Sequence, residues 1–206
     1  MYKRYNFEHT IGSISEIKTA RYLQDVCGMS VVRNVYIPSR TGNTEIDIIG
    51  LNERGIFVIE NKSYGGDVYG SVRDDYWSVV YQSINPDYSG NTYNMKNPVF
   101  QNRYHVEELL FMLDRSGFKD ISVSNFVIFD DKVKSLNVTD DKNYEVFTLK
   151  GFIDFYNDIE FKSSLDDFTV KLLYDIFSDL SEKYRELNII KSINECYRYE
   201  NESINS

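Results

Sequence analysis

The sequence predicts an α/β fold, a mixed β-sheet flanked by helices. Three observations lead there. Two apolar runs of strand length, Ile46 to Leu51 and Ile56 to Ile59, flank a polar turn at Asn52 to Gly55. Segments with apolar residues at helical spacing lie before and after them. Both strands also carry charge, at Asp47 in the first and at Glu60 and Lys62 in the second, where a sheet core tolerates none without a counter-charge or a task.

Taken in order, the first helix is expected from about Thr10 to Val26, with Ile14, Ile17, Tyr22 and Leu23 facing the core and Cys27-Gly28 as its stop. Val31 to Ile37 reads as a strand ended by Pro38, and Ser39 to Asn43 as a polar loop delivering the chain to the Asp47 strand. After Lys62, Gly65-Gly66 marks a turn, and Asp67 to Ser71 with Tyr76 to Gln82 reads as a hairpin, its Trp77 packed across the sheet. Ser83 to Asn94, rich in Asn, Asp, Tyr, Ser and Gly, reads as a mobile loop beside the site. Asn97-Pro98 opens the next helix as cap and first residue, with Val106, Leu109, Leu110 and Leu113 as its apolar stripe. Ile121 to Phe129 suits a central strand and Glu145 to Leu149 an edge strand, with Asp130-Asp131-Lys132 as a solvated turn between them. From Ser164 to Ile193 the spacing of Phe168, Leu172, Leu173, Ile176, Phe177, Leu180, Tyr184 and Leu187 predicts one long amphipathic helix, followed by a fraying polar tail from Asn194. That helix either folds back on the sheet or forms a homodimer interface. The expected division is a domain over residues 1–160 and a helical appendage over 161–206.

Side chains alternate along a strand, so Glu60 and Lys62 leave the same face, and an antiparallel neighbour presents Asp47 beside them. Two carboxylates this close raise each other's pKa unless a cation lies between them, and a hard divalent ion with oxygen ligands suits the place. Such an ion activates water toward a phosphodiester, and Lys62 would orient that water or neutralise charge growing on the phosphate. The plainer alternative is a buried ion pair of Lys62 with Glu60 or Asp47. A carboxylate pair also serves glycoside cleavage, which leaves Lys62 without a role.

The 206 residues, 42% hydrophobic, suffice for one sizeable domain. A net charge of −9 excludes a protein that coats nucleic acid by bulk electrostatics, since such binders carry a positive footprint. It leaves room for a local basic surface, for which Lys3, Arg4, Arg33, Arg40, Arg73, Lys96 and Arg103 are the candidates. Cys27 and Cys196 lack metal-ligand spacing and make no disulfide framework, so a reducing cytoplasm is expected. Neither a signal peptide nor a membrane span is expected.

An acidic residue late in one strand and Glu-x-Lys ending the next is the pattern of the PD-(D/E)xK nuclease superfamily. More narrowly, the chain resembles the nuclease-related domain (NERD) family in an ordered series. It runs through Gly12-Ser-Ile-Ser-Glu16, Asn34-Val-Tyr-Ile-Pro38, Thr44-Glu-Ile-Asp47, Gly55-Ile-Phe-Val-Ile-Glu60-Asn-Lys62, Gly66-Asp-Val-Tyr-Gly70, Trp77 and Asn97-Pro-Val-Phe-Gln101-Asn-Arg-Tyr-His105. Ser15 departs from the family's usual Gly and Asn61 from its usual Val; neither removes a charged group. The resemblance implies a PD-(D/E)xK restriction-endonuclease-like sheet and a nuclease acting on DNA with Mg²⁺ or Mn²⁺. It implies Asp47, Glu60 and Glu16 as metal ligands, Lys62 as the water-positioning group and Gln101 as a polar lining of the pocket. His105, four residues from Gln101, is expected only to hydrogen-bond a helix neighbour or loop carbonyl. An inactive nuclease-like module that binds nucleic acid or a protein partner is the alternative.

Overall fold

The computed structural model describes residues 2–82, 90–160 and 165–183, and side chains from residue 14 onward. Its main sheet is built from β1 (Ser30–Ser39), β2 (Gly42–Asn52), β3 (Gly55–Lys62), β7 (Val123–Phe129) and β9 (Val146–Thr148), in that spatial order. β1 to β3 form an antiparallel meander, and β7 and β9 continue the sheet in parallel. A second sheet, in the order β6-β5-β4-β8, contains β4 (Asp67–Ser71), β5 (Tyr76–Tyr81), β6 (Asn91–Lys96) and β8 (Ser135–Thr139). The architecture is the expected mixed α/β one.

Helices cover both faces of the main sheet. On one face, α1 (Tyr2–Asp25) and α3 (Leu149–Asp158) bury Leu23 and Phe152 against Ile48, Phe57, Ile59, Phe126 and Ile128. On the other, α2 (Pro98–Arg115) and α4, helical over residues 167–183, bury Leu109, Leu113, Leu173 and Phe177 against Val35, Ile49, Ile56 and Val58. Removing each such side chain from water is worth about 1.5–3 kcal/mol. α4 therefore shares the core of the sheet, and Ser181 Oγ donates to the Arg33 carbonyl at 2.8 Å. Tyr184, Leu187 and the tail from Asn194 lie outside the described residues, as do 83–89 of the expected loop and the side chains of Lys3 and Arg4.

Several elements differ from their sequence reading. α1 starts well before Thr10, and its buried stripe is Ser15, Thr19, Ala20 and Leu23, while Ile14 and Tyr22 face solvent. The inward hydroxyls of Ser15 and Thr19 are both bonded to Asn61 of β3, which makes a polar stripe the inner one. Pro38 lies within β1 instead of ending it; β1 is an edge strand, so a missing N–H is tolerated there. Ser39 pairs with Gly42 around a two-residue turn, shorter than the expected loop. Residues 91–94 form most of β6, a polar edge strand bonded to β5, and α3 follows β9 where no helix was expected. Leu110 is exposed, off the buried face of α2. Asp130 is buried, accepting from Ser63 Oγ at 2.7 Å, so it anchors the β3 end to β7 and is no solvated turn.

Trp77 packs as expected, stacked on Phe129 with its indole N–H donating to the Ser71 carbonyl at 2.8 Å. Gly70 lets that ring lie flat on β4, because a Cβ there would stand 2.3 Å from Trp77 Cγ. Gly70→Ala should lower stability by about 1–3 kcal/mol through overpacking. Urea unfolding followed by Trp77 fluorescence checks this, and an unchanged midpoint would mean the indole moves aside freely.

Candidate active site

The site forms where β2 and β3 part. Their pairing runs from Asn52↔Gly55 to Ile48↔Ile59 and goes no further. One residue on, Asp47 Oδ2 takes the place of a backbone acceptor and receives the Asn61 N–H at 2.9 Å. Alternation in β2 breaks at the same point: Ile46 and Ile49 fall in one apolar cluster, while Ile48 belongs to the opposite face. Facing this break, Asn34 of β1 has φ 53°, a left-handed conformation that Asn adopts more readily than most residues.

Glu60 is buried, 1% exposed, and points toward α2. Its Oε1 accepts from Lys62 Nζ at 2.6 Å, and Nζ also reaches Gln101 Oε1 at 3.4 Å. Glu60 Oε2 and His105 Nδ1 face each other at 3.6 Å, both buried and neither hydrogen-bonded. His105 Nδ1 thus has no hydrogen bond to a helix neighbour or loop carbonyl among the described residues and stands opposite a carboxylate oxygen instead. Glu16 accepts from Asn34 Nδ2 at 3.2 Å and lies 3.9 Å from Arg33. The same amide donates to Glu45 at 3.2 Å.

Electrostatics follow from this crowding. Burial, then Glu60, push Asp47 well above the usual carboxylate range, against the pull of Lys62 and the Asn61 N–H. Burial raises Glu60 too, with Lys62 opposing. Glu16 is raised by burial, offset by Asn34 and Arg33. Burial lowers the pKa of Lys62, but Glu60 and Asp47 outweigh it and hold it above the usual lysine value, as ammonium. His105 is lowered to about 4 by burial and by Lys62, so its ring is neutral at pH 7.

Glu60 and Gln101 both contact Lys62 Nζ, Asp47 is electrostatically coupled to Glu60 and Lys62, and Glu16, which acts on Asp47 and Glu60 through its charge, is joined by Asn34 to Glu45. Sequence reasoning passed over Glu45 and Asn34. Glu45 precedes Asp47 by two residues, and that spacing was the available signal. Among the described residues no three His, Cys, Asp or Glu side chains are gathered as a metal cluster. Two raised carboxylates and the orphaned Glu60 Oε2 still fit Mg²⁺ or Mn²⁺, since Mg²⁺ is commonly held by one or two carboxylates with waters and phosphate completing its shell.

The expected basic surface shrinks. Arg33 lies beside Glu16, Arg40 pairs with the buried Glu108 at 2.7 Å, and Arg103 pairs with Glu145. Arg73 and Lys96 form no ion pair among the described residues.

A family model described as nuclease-related domain (NERD) matches residues 11–130. No curated protein matches the chain. A crystal structure titled as a protein of unknown function, AF1548, is similar at 13% identity and a TM-score of 0.34, covering 65% of this chain. This chain spans 54% of that one.

A carboxyl whose pKa is raised by folding stabilises the fold while protonated, below its unfolded value near ~4, and loses that contribution as pH rises through the folded value. Metal-free protein should therefore lose stability from pH 4 toward neutrality. Asp47→Asn keeps an acceptor for Asn61 without the charge, and should be more stable than the parent by about 1 kcal/mol at pH 7.5, with the gap closing at pH 4. Thermal melts with chelator present measure this. Saturating Mn²⁺ should stabilise the parent by about 2.7 kcal/mol at a hundredfold excess over Kd, and Asp47→Asn far less.

Proposed function

The chain belongs to the nuclease-related domain family, and we propose that it is a metal-dependent nuclease that hydrolyses phosphodiester bonds in DNA, in DNA processing or defence against foreign DNA. The observation that carries this reading is the pairing of a buried, unpartnered carboxylate oxygen, Glu60 Oε2, with an ammonium held 2.6 Å from the other oxygen of the same group. Keeping like charges beside a core is costly without a counter-ion.

Asp47 and Glu60 would hold Mg²⁺ or Mn²⁺ directly, and Glu16, tethered through Asn34, through water. When bound, the ion supplies Lewis-acid polarisation of the phosphate and favours deprotonation of attacking water at neutral pH. The Asn61 N–H orients Asp47 by fixing Oδ2. Lys62, held as ammonium by its two acidic neighbours, donates toward the attacking water and the phosphate oxygen on which charge grows. Gln101 limits the swing of Lys62, and the neutral His105 closes the pocket over Glu60. Homodimerisation through α4, where Phe168, Leu172 and Tyr174 are exposed, would bring two such sites into one assembly.

Asp47→Ala and Glu60→Gln should each reduce cleavage by about 10³-fold or more, and Lys62→Met by about 10²–10³-fold, with unchanged circular dichroism. The assay is purified protein with Mn²⁺ on plasmid, linear duplex and single-stranded DNA, with a chelator control. An Asp47→Ala protein as active as the parent would sink the assignment. The Lys62–Glu60 ion pair, which already neutralises one carboxylate, favours the second reading, an inactive module. Binding without cleavage on every substrate would establish it.

A further inference from the structure

The face of α2 that brings Gln101 to Lys62 does not stop at the metal pocket. Asn97, Phe100, Gln101 and Tyr104 follow one another at spacings of three, one and three residues, which places them on one side of the helix. They form one wall of a groove of about 550 Å³ whose other wall is the β5–β6 ladder at Tyr76 and Lys96, residues directly opposite in register. A pocket of that volume is on the scale that buries a small ligand, one or two nucleotides and not a duplex.

Its lining is unusual for a surface. Tyr76 is 62% exposed and Phe100 39%. Tyr104 is half-buried, its hydroxyl 2.9 Å from Thr41 Oγ1. Lys96 is exposed and makes no ion pair among the described residues, in contrast to Arg33, Arg40 and Arg103. Asp75 lies on the same wall and disfavours a second phosphate beside the one Lys96 would meet.

Resting on the nuclease reading above, we propose that this groove is a track for single-stranded DNA leading to the Lys62 site, with Tyr76 and Phe100 stacking unpaired bases and Lys96 meeting a phosphate. Base faces are available to such rings only when the strand is unpaired. A groove whose described lining carries one lysine and one aspartate cannot supply the phosphate neutralisation on which duplex binding depends. Gln101 links the two regions, belonging to the groove wall and accepting from Lys62.

The test is fluorescence anisotropy of a labelled oligothymidylate, its hybridised duplex and an oligouridylate, with the full chain in chelator, followed by cleavage of the same strands in Mn²⁺. Wild type should prefer the single DNA strand to the duplex. Tyr76→Ala and Phe100→Ala should each weaken oligothymidylate binding by about 5- to 150-fold with unchanged melting, and Tyr76→Phe should restore it. A log–log salt dependence of about −0.7, the mark of about one phosphate contact on a single strand, should flatten in Lys96→Ala. Equal affinity for duplex, preference for the uridylate strand, or indifference to both aromatic substitutions overturns the track. Cleavage that persists in those cases leaves the nuclease reading standing. Groove-dependent binding with no cleavage sinks that reading and keeps the track.

Discussion

The site depends on the hydrogen bond from the Asn61 amide to Asp47. Two antiparallel strands that kept pairing past Ile48↔Ile59 would bring backbone oxygen to that amide and leave no gap between them. Instead a side-chain carboxylate takes the amide, the strands separate, and the space opened is bounded by Asp47, Glu60 and Lys62. Position and charge are set by one contact, because the acceptor that replaces the ladder bond is itself one of the acids of the proposed site.

Asn61 also faces the other way. Its side chain donates to Ser15 at 2.9 Å and accepts from Thr19 at 2.7 Å, both on α1. Ser15 and Asn61, the two positions at which the chain was expected to differ from the resembled family, are hydrogen-bonded to each other. A lone buried amide would cost about 1–3 kcal/mol; with both its ends satisfied it locks α1, and Glu16 with it, to the strand that holds Glu60. The polar inner stripe of α1 follows from this lock.

How much of this was legible depends on which physical signal governs each part. The β2–β3 pair was readable because burial on both sides forces continuous apolar runs, against which Asp47, Glu60 and Lys62 stand out. α2 was readable from Asn97-Pro98, whose cap geometry is local: the Asn97 side chain accepts the Val99 N–H at 2.9 Å. What was missed is tertiary. β6 is polar because an edge strand with five exposed positions needs only its partner's hydrogen bonds, so composition suggested a loop. Arg40 and Arg103 looked like free cations because their carboxylates, Glu108 and Glu145, lie far away in sequence. Glu45 was passed over, although period two puts it on the face of Asp47, because its partner Asn34 lies on a neighbouring strand and in a left-handed conformation that a strand reading does not anticipate.

That loss of free cations bears on how an acidic chain would handle a polyanion. With Arg33, Arg40 and Arg103 engaged by carboxylates and a net charge of −9, long-range attraction for phosphate is weak. On the proposed reading, recognition would come from short-range terms that an acidic surface does not cancel: a divalent ion held by Asp47 and Glu60, the ammonium groups of Lys62 and Lys96, and ring faces at Tyr76 and Phe100. Each of these acts only on a strand already in place, which favours selectivity at the site over tenacious nonspecific binding. An acidic exterior is therefore consistent with a phosphodiesterase whose affinity is confined to one groove and one ion.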